Sequence, residues 1–337
     1  MKVGELREKL SKLKKEQVIK LAVEFYKLVP KSKKEDYDLD GLINNPQDKK
    51  KAGQKSTINL QQLDQDINKF LDDAENQYYL IPNRVIPKKE RPKWRFKVKR
   101  WYKELIKIDT KRTDSDIRLQ SNLLSDLYEI MCESCGFPLF PGHDSFQSIG
   151  VDQTEFFKSV ITLIQEAEGK RASVVKGINL ILNNYLNHLT LYTELMDVFI
   201  QSLDVPDLKY EGIEITNRLL KELDLKSLLK DKSDGKYSQN IFGEQKRNNN
   251  LVKFGFKLYA SLSELDEGIK FFKEHYYDEN EGVKLYILVD LLFENEAKDR
   301  LLKEIEEASK KGIKLRQSLL DLMKEIKDTG ELPLYMP

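Results

Sequence analysis

The sequence predicts an all-α fold: a small N-terminal helical module followed by a larger, irregular bundle or stack of antiparallel helices. Two observations carry this. The 337 residues hold only 16 glycines and 10 prolines, below the average usage of about 7% and 5%. Turns are therefore sparse and elements long. Apolar residues also recur every three or four positions through most of the chain, the spacing that gives a helix one buried face. Hydrophobic residues make up 40% and charged residues 34%, which describes a core inside a heavily charged surface.

Taken in order, residues 3–13 form a first helix with Leu6, Leu10 and Leu13 on one face. Residues 16–29 form a second, striped by Val18, Leu21, Ala22, Phe25 and Leu28, and Pro30 stops it because the residue before a proline avoids helical geometry. A short third helix spans 34–43. Residues 1–46 are thus a small basic module, and the polar run 47–58 is a linker to a helical domain over 59–337. The long polar tract 231–250 is where that domain would subdivide, and it reads as loop.

Within the domain, residues 59–76 carry an apolar stripe of Leu60, Leu63, Ile67, Phe70 and Leu71. Pro92 is placed to open the next helix. A helix over 115–135 ends at Gly136, and an aromatic- and proline-rich loop fills 137–150. Asp152 and Glu155 form a capping box for a helix to residue 168. The stretch 171–203 is too long for one ordinary helix and breaks near 183–187. Further helices follow over 213–229, 251–262, 263–277 and 282–293, then 296–327 with a break near Gly312.

No stretch approaches the roughly 20 apolar residues that span a bilayer. The opening MKVGELREKL carries charge where a signal peptide needs an apolar core. The chain is expected in the cytoplasm with no membrane partner, and two cysteines fit a reducing compartment.

The run LREKLSKLKKEQVIKLAVEFYKL resembles the opening of an uncharacterised bacterial family of small helical proteins, a domain of unknown function. Its Leu-x3-Leu-x2-Leu spacing is also distantly similar to the SAP module, a DNA-binding helical hairpin. The resemblance covers about the first 45 residues and implies a small helical fold and, through the SAP module, contact with DNA. Lys14-Lys15-Glu16 stands where a SAP module has a glycine turn.

Short motifs point to no enzyme. Cys132-x-x-Cys135 lacks the second ligand pair that a structural zinc needs, and His143, His188 and His275 supply none at a suitable spacing. Asp36, Asp38, Asp40 and Gly41 match the first half of a calcium loop, but Gln47 stands where a bidentate glutamate belongs. His143-Asp144 has no histidine upstream of it, as an HD-type phosphohydrolase requires. Pro206-Asp207 with Asp224-x-Lys226 spells a nuclease pattern whose chemistry needs a strand, in a segment that reads as helix. Neither metal nor cofactor is expected, and no catalytic residue is assigned.

The charge distribution is more informative than the net charge of +1. Residues 1–112 hold 29 Lys and Arg against 17 Asp and Glu, a balance of +12, and the remainder balances at −11. The densest run is Lys88, Lys89, Arg91, Lys93, Arg95, Lys97, Lys99, Arg100 and Lys103, opposed only by Glu90 and interleaved with both tryptophans, Trp94 and Trp101. Such cations neutralise phosphates, and aromatics among them stack on unpaired bases. Trp94, Val98, Trp101 and Leu105 also keep helical spacing. The aromatics would then face the core, with the cations as a solvated face docked on the acidic remainder. The functional expectation is a non-enzymatic protein acting by macromolecular interaction. Binding to another protein stands first, binding of DNA or RNA through residues 88–103 is the alternative, and an enzyme of unrecognised type is third.

Overall fold

The structure is a computed structural model that describes residues 3–30, 34, 43, 59–107, 112–142, 144–223 and 241–336. It is all-α: fifteen α-helices and no strand among the described residues. The chain divides into two compact units, Met1–Asn59 and Leu60–Pro337.

The first unit contains α1 (Val3–Ser11) and α2 (Lys15–Leu28). Gln17 closes the start of α2 by accepting from the Lys14 N–H at 3.0 Å. Val29, before Pro30, is extended and ends the helix, as the proline requires. The third helix expected over 34–43 and the linker at 47–58 lie almost wholly outside the described residues.

In the second unit, α3 (Leu60–Glu75) precedes a 3-10 turn (Arg91–Lys93) opened by Pro92, which runs into α4 (Trp94–Leu105). Then come α5 (Asp114–Gly136), the short α6 (Ser145–Ile149) and α7 (Gln153–Glu168). Asp152 caps α7 by accepting from the Thr154 and Glu155 N–H groups, which is the Asp152 half of the capping box expected there. Gly169, at φ +87°, separates α7 from α8 (Lys170–Asn183). The stretch 171–203 does break: eight residues separate α8 from α9 (Tyr192–Ser202). After α10 (Pro206–Leu223) follow α11 (Ile241–Ser261), α12 (Leu265–His275), α13 (Glu281–Glu294), α14 (Lys298–Lys310) and α15 (Gln317–Thr329). Gly312, at φ +76°, lies in the break between the last two.

Most helices pack on those one or two places along the chain, α5 on α7, α7 on α8 and α9, α10 on α11, α13 on α14. An irregular stack results. Its core is a relay of rings: Tyr102 meets Phe156 at 4.6 Å, Tyr128 meets Phe156 and Phe157, Phe157 meets Phe199, and Phe199 stacks on Phe254 at 6.0 Å. That relay connects α4 to α11.

Two buried polar side chains tie elements together. Gln153 is fully buried. Its amide nitrogen lies 3.1 Å from the Tyr185 carbonyl and 3.3 Å from Cys132 Sγ, and its oxygen accepts from the Asn187 N–H at 2.8 Å. Lys257 of α11, 8% exposed, reaches Asp197 of α9 at 2.9 Å and Glu294 of α13 at 2.8 Å. Burial alone disfavours its charge, but the hydrogen bonds to Glu294 and Asp197 outweigh burial and hold the ammonium above the ordinary lysine range.

Three readings of the sequence need correction. The tract 231–250 is not loop to its end, because α11 begins at Ile241. Asn248 donates to the His275 carbonyl at 3.0 Å, and Asn249 brackets Tyr277 with bonds of 2.8 and 3.1 Å. Asparagines that look like a solvated loop are therefore the polar seam between α11 and the end of α12. Next, α10 starts at Pro206 rather than residue 213, since proline suits the first helical position. Finally, the loop 137–150 contains α6, capped by Asp144 Oδ1 accepting from the Gln147 N–H at 2.9 Å.

Replacing Gln153 with Ala leaves the buried Asn187 N–H without its partner. We expect a loss of about 2–3 kcal/mol in urea unfolding, the cost of unsatisfied buried groups. A loss below about 0.5 kcal/mol would show that water replaces the amide.

Candidate functional site

Helix α4 is anchored on one side. Trp94, Val98, Trp101, Tyr102 and Leu105 are all buried. Trp94 stacks on Phe140 at 4.2 Å, and Trp101 meets Phe70 edge-on at 5.3 Å. The Tyr102 hydroxyl lies 3.1 Å from the Ser159 hydroxyl of α7, and Gln120 of α5 donates to the Leu105 carbonyl at the helix end. At about 100° per residue, the buried stripe covers one side of the helix and leaves the cations on the other.

Lys88, Lys89, Lys93, Arg95, Lys97, Arg100 and Lys103 are exposed, and Lys99 is half-buried with its ammonium beside Gly150. Arg91 is not on this face. It is 9% exposed and folds inward, where Nε donates to the Ile86 carbonyl at 2.9 Å and Nη2 donates to the Asn83 carbonyl. It braces the turn that leads into α4. The tryptophans are 2% exposed, so neither is offered to a base. Phe96, 62% exposed, is the aromatic on the basic face, and the Arg95 guanidinium sits over its ring at 4.9 Å.

The ion pairs of this face are local. Lys93 meets Glu90 at 2.8 Å and Arg100 meets Glu104 at 3.9 Å. Both carboxylates belong to the same segment. Among the described residues no ion pair joins these nine cations to the acidic remainder; Lys99, beside Gly150, is the one of them that reaches it.

Helix α2 presents a second surface. It has no buried residue, and Ile19, Leu21, Val23, Phe25 and Leu28 are all exposed, Leu28 at 78%.

Of the remaining motifs, the cysteine pair is described in full. Cys132 is buried and Cys135 half-buried, both as free thiols. Burial pushes the Cys132 thiol well up, and burial together with the nearby Asp144 charge raises Cys135 to about 11. Neither is a thiolate at neutral pH. Asp36, Asp38, Asp40, Gly41, Gln47, His143, Asp224 and Lys226 lie outside the described residues. Asp144 is buried, with His188 Nδ1 3.0 Å from its Oδ2. Asp207 lies in the first turn of α10, on a helix. Among the described residues no three His, Cys, Asp or Glu side chains group as metal ligands, and no helix is long and apolar enough to cross a membrane.

The sequence reading missed a polar cleft of about 570 Å³ between α5 and α8. Asn122, Asp126 and Glu129 line one wall, and Lys176, Asn179 and Asn183 the other. Burial raises both carboxyls, and Asp126 adds its charge to the effect on Glu129. Asn183 and Asn184 were legible only as a helix break.

No protein-family model, no curated protein and no solved structure matches this chain.

Replacing Arg91 with Ala should open residues 83–91 to protease and lower the melting temperature. Any salt dependence of nucleic-acid binding should stay unchanged, because this guanidinium already serves two carbonyls. A flattened salt dependence without loss of stability would return Arg91 to the outer face.

Proposed function

We propose that the protein acts by macromolecular interaction rather than by catalysis, and that the outer face of α4 with the turn before it binds nucleic acid. The supporting observation is the row of exposed cations, whose ion-pair partners among the described residues are Glu90 and Glu104. The aromatic stripe beneath fixes the helix, so the charges are held in place before a ligand arrives. Each phosphate neutralised releases condensed counterions, so affinity for a labelled oligonucleotide must fall steeply with salt. Three to five phosphate contacts correspond to a loss of at least about tenfold between 50 and 200 mM salt. Removing the charges of Lys97, Lys99 and Arg100 together should flatten that dependence with little change in stability. Absence of binding to both single strands and duplexes at low salt would remove the reading.

A second reading, binding of another protein, is favoured by α2. Its 14 residues leave Leu21, Phe25 and Leu28 exposed together on one side, and a helix this short is marginal without packing. Phe25→Asp should release a copurifying protein while leaving nucleic-acid binding unchanged. A partner that stays bound to that variant would exclude α2 as its contact.

A further inference from the structure

We infer that the α4 face selects single-stranded over double-stranded nucleic acid, with Phe96 as the platform on which one unpaired base stacks. This rests on the reading of α4 as a nucleic-acid surface and adds to it the class of ligand. Phe96 is a large apolar side chain left 62% exposed on a helix whose other aromatics, Trp94, Trp101 and Tyr102, are buried. Its place among the cations follows from helical spacing. Residues three, four and seven positions on share its face, and these are Lys99, Arg100 and Lys103. The ring therefore sits inside the charged surface rather than at its edge.

An aromatic ring surrounded by cations matches two parts of an unpaired nucleotide at once. The phosphates on either side meet ammonium and guanidinium groups, and the base between them has a free π-face to lay on the ring. A base within a duplex has both faces covered by its neighbours, so the ring adds nothing there and only the charge contacts remain. Arg95, whose guanidinium lies over the ring at 4.9 Å, must leave that face for a base to stack there, and its planar cation then lies on the outer face of the base. The two buried tryptophans contribute indirectly. By occupying the inner stripe they fix the rotation of α4 that turns Phe96 outward.

The test measures binding of a fluorescent oligothymidylate and of a mixed-sequence duplex to wild-type protein, F96A and F96W across a salt series. We expect F96A to lose about fivefold or more in affinity for the single strand. Its salt dependence should match wild type, since no phosphate contact is removed. Duplex affinity should not change, and F96W should restore single-strand binding. The melting temperature of F96A should equal that of wild type, because the ring is exposed. Equal single-strand affinity for wild type and F96A, with salt-dependent binding intact, overturns the stacking platform alone. Equal losses on single strand and duplex also overturn it, since stacking cannot act on paired bases. Absence of binding to either ligand by wild type at 50 mM salt overturns the reading of α4 itself.

Discussion

The burial of Trp94 and Trp101 determines what α4 shows to solvent. Two indoles and Tyr102 occupy one side of a twelve-residue helix and lock against Phe140, Phe70 and Ser159. Aromatic pairs of this kind contribute about 0.5–1.5 kcal/mol beyond the area they bury. Rotating α4 would expose the rings and bury ammonium groups, and burying an unpaired charge is far costlier still. The hydrophobic side thus aims the charged side. The same constraint extends inward, because Tyr102 begins the ring relay that runs through α7 and α9 to α11.

Three sets of interior polar groups are paired across elements rather than within one helix. Lys257 joins α9, α11 and α13, Asn248 and Asn249 join α11 to the end of α12, and Gln153 joins α7 to the loop after α8. Such bonds add modest net stability, but leaving one unmade is costly. They therefore penalise alternative packings of helices whose apolar stripes are much alike. Lys257 illustrates the balance. Its two carboxylates stay half-exposed while the ammonium is 8% exposed, so only one member of the trio carries the full cost of leaving water.

Local signals were legible in the sequence where one residue decides local geometry. Pro30 ends α2, Asp152 caps α7, Pro92 opens the turn into α4, and the break near Gly312 lies where expected. The all-α class follows from these signals and the apolar spacing together. Tertiary pairing was not legible. Asn248 and Asn249 look like loop residues until the carbonyls of His275 and Tyr277 are placed beside them. Arg91 is indistinguishable from its basic neighbours until the Ile86 and Asn83 carbonyls turn inward. The stripe Trp94, Val98, Trp101, Leu105 is visible and buries as its spacing implies, and Phe96 is exposed on the opposite side. A wheel drawn from the same spacing would have placed it among the lysines.

The charge asymmetry of the whole chain acts less directly than its size suggests. A balance of +12 against −11 describes sums, while exposed charges at physiological salt are screened over about 8 Å. A phosphate at the surface of α4 responds to the cations within about that distance, here Arg95, Lys97, Lys99, Arg100 and Lys103, and to Glu104 beside them. Acidic residues elsewhere in the chain change its energy little once they lie beyond that range. Net charge near zero therefore does not argue against a polyanion surface. What counts is whether a local face keeps its cations free of carboxylate partners, and among the described residues Lys93, just before α4, and Arg100 on it each have one. Those two pairs are exposed, of the kind worth at most about 1 kcal/mol each, so an incoming phosphate can compete for both cations at small cost.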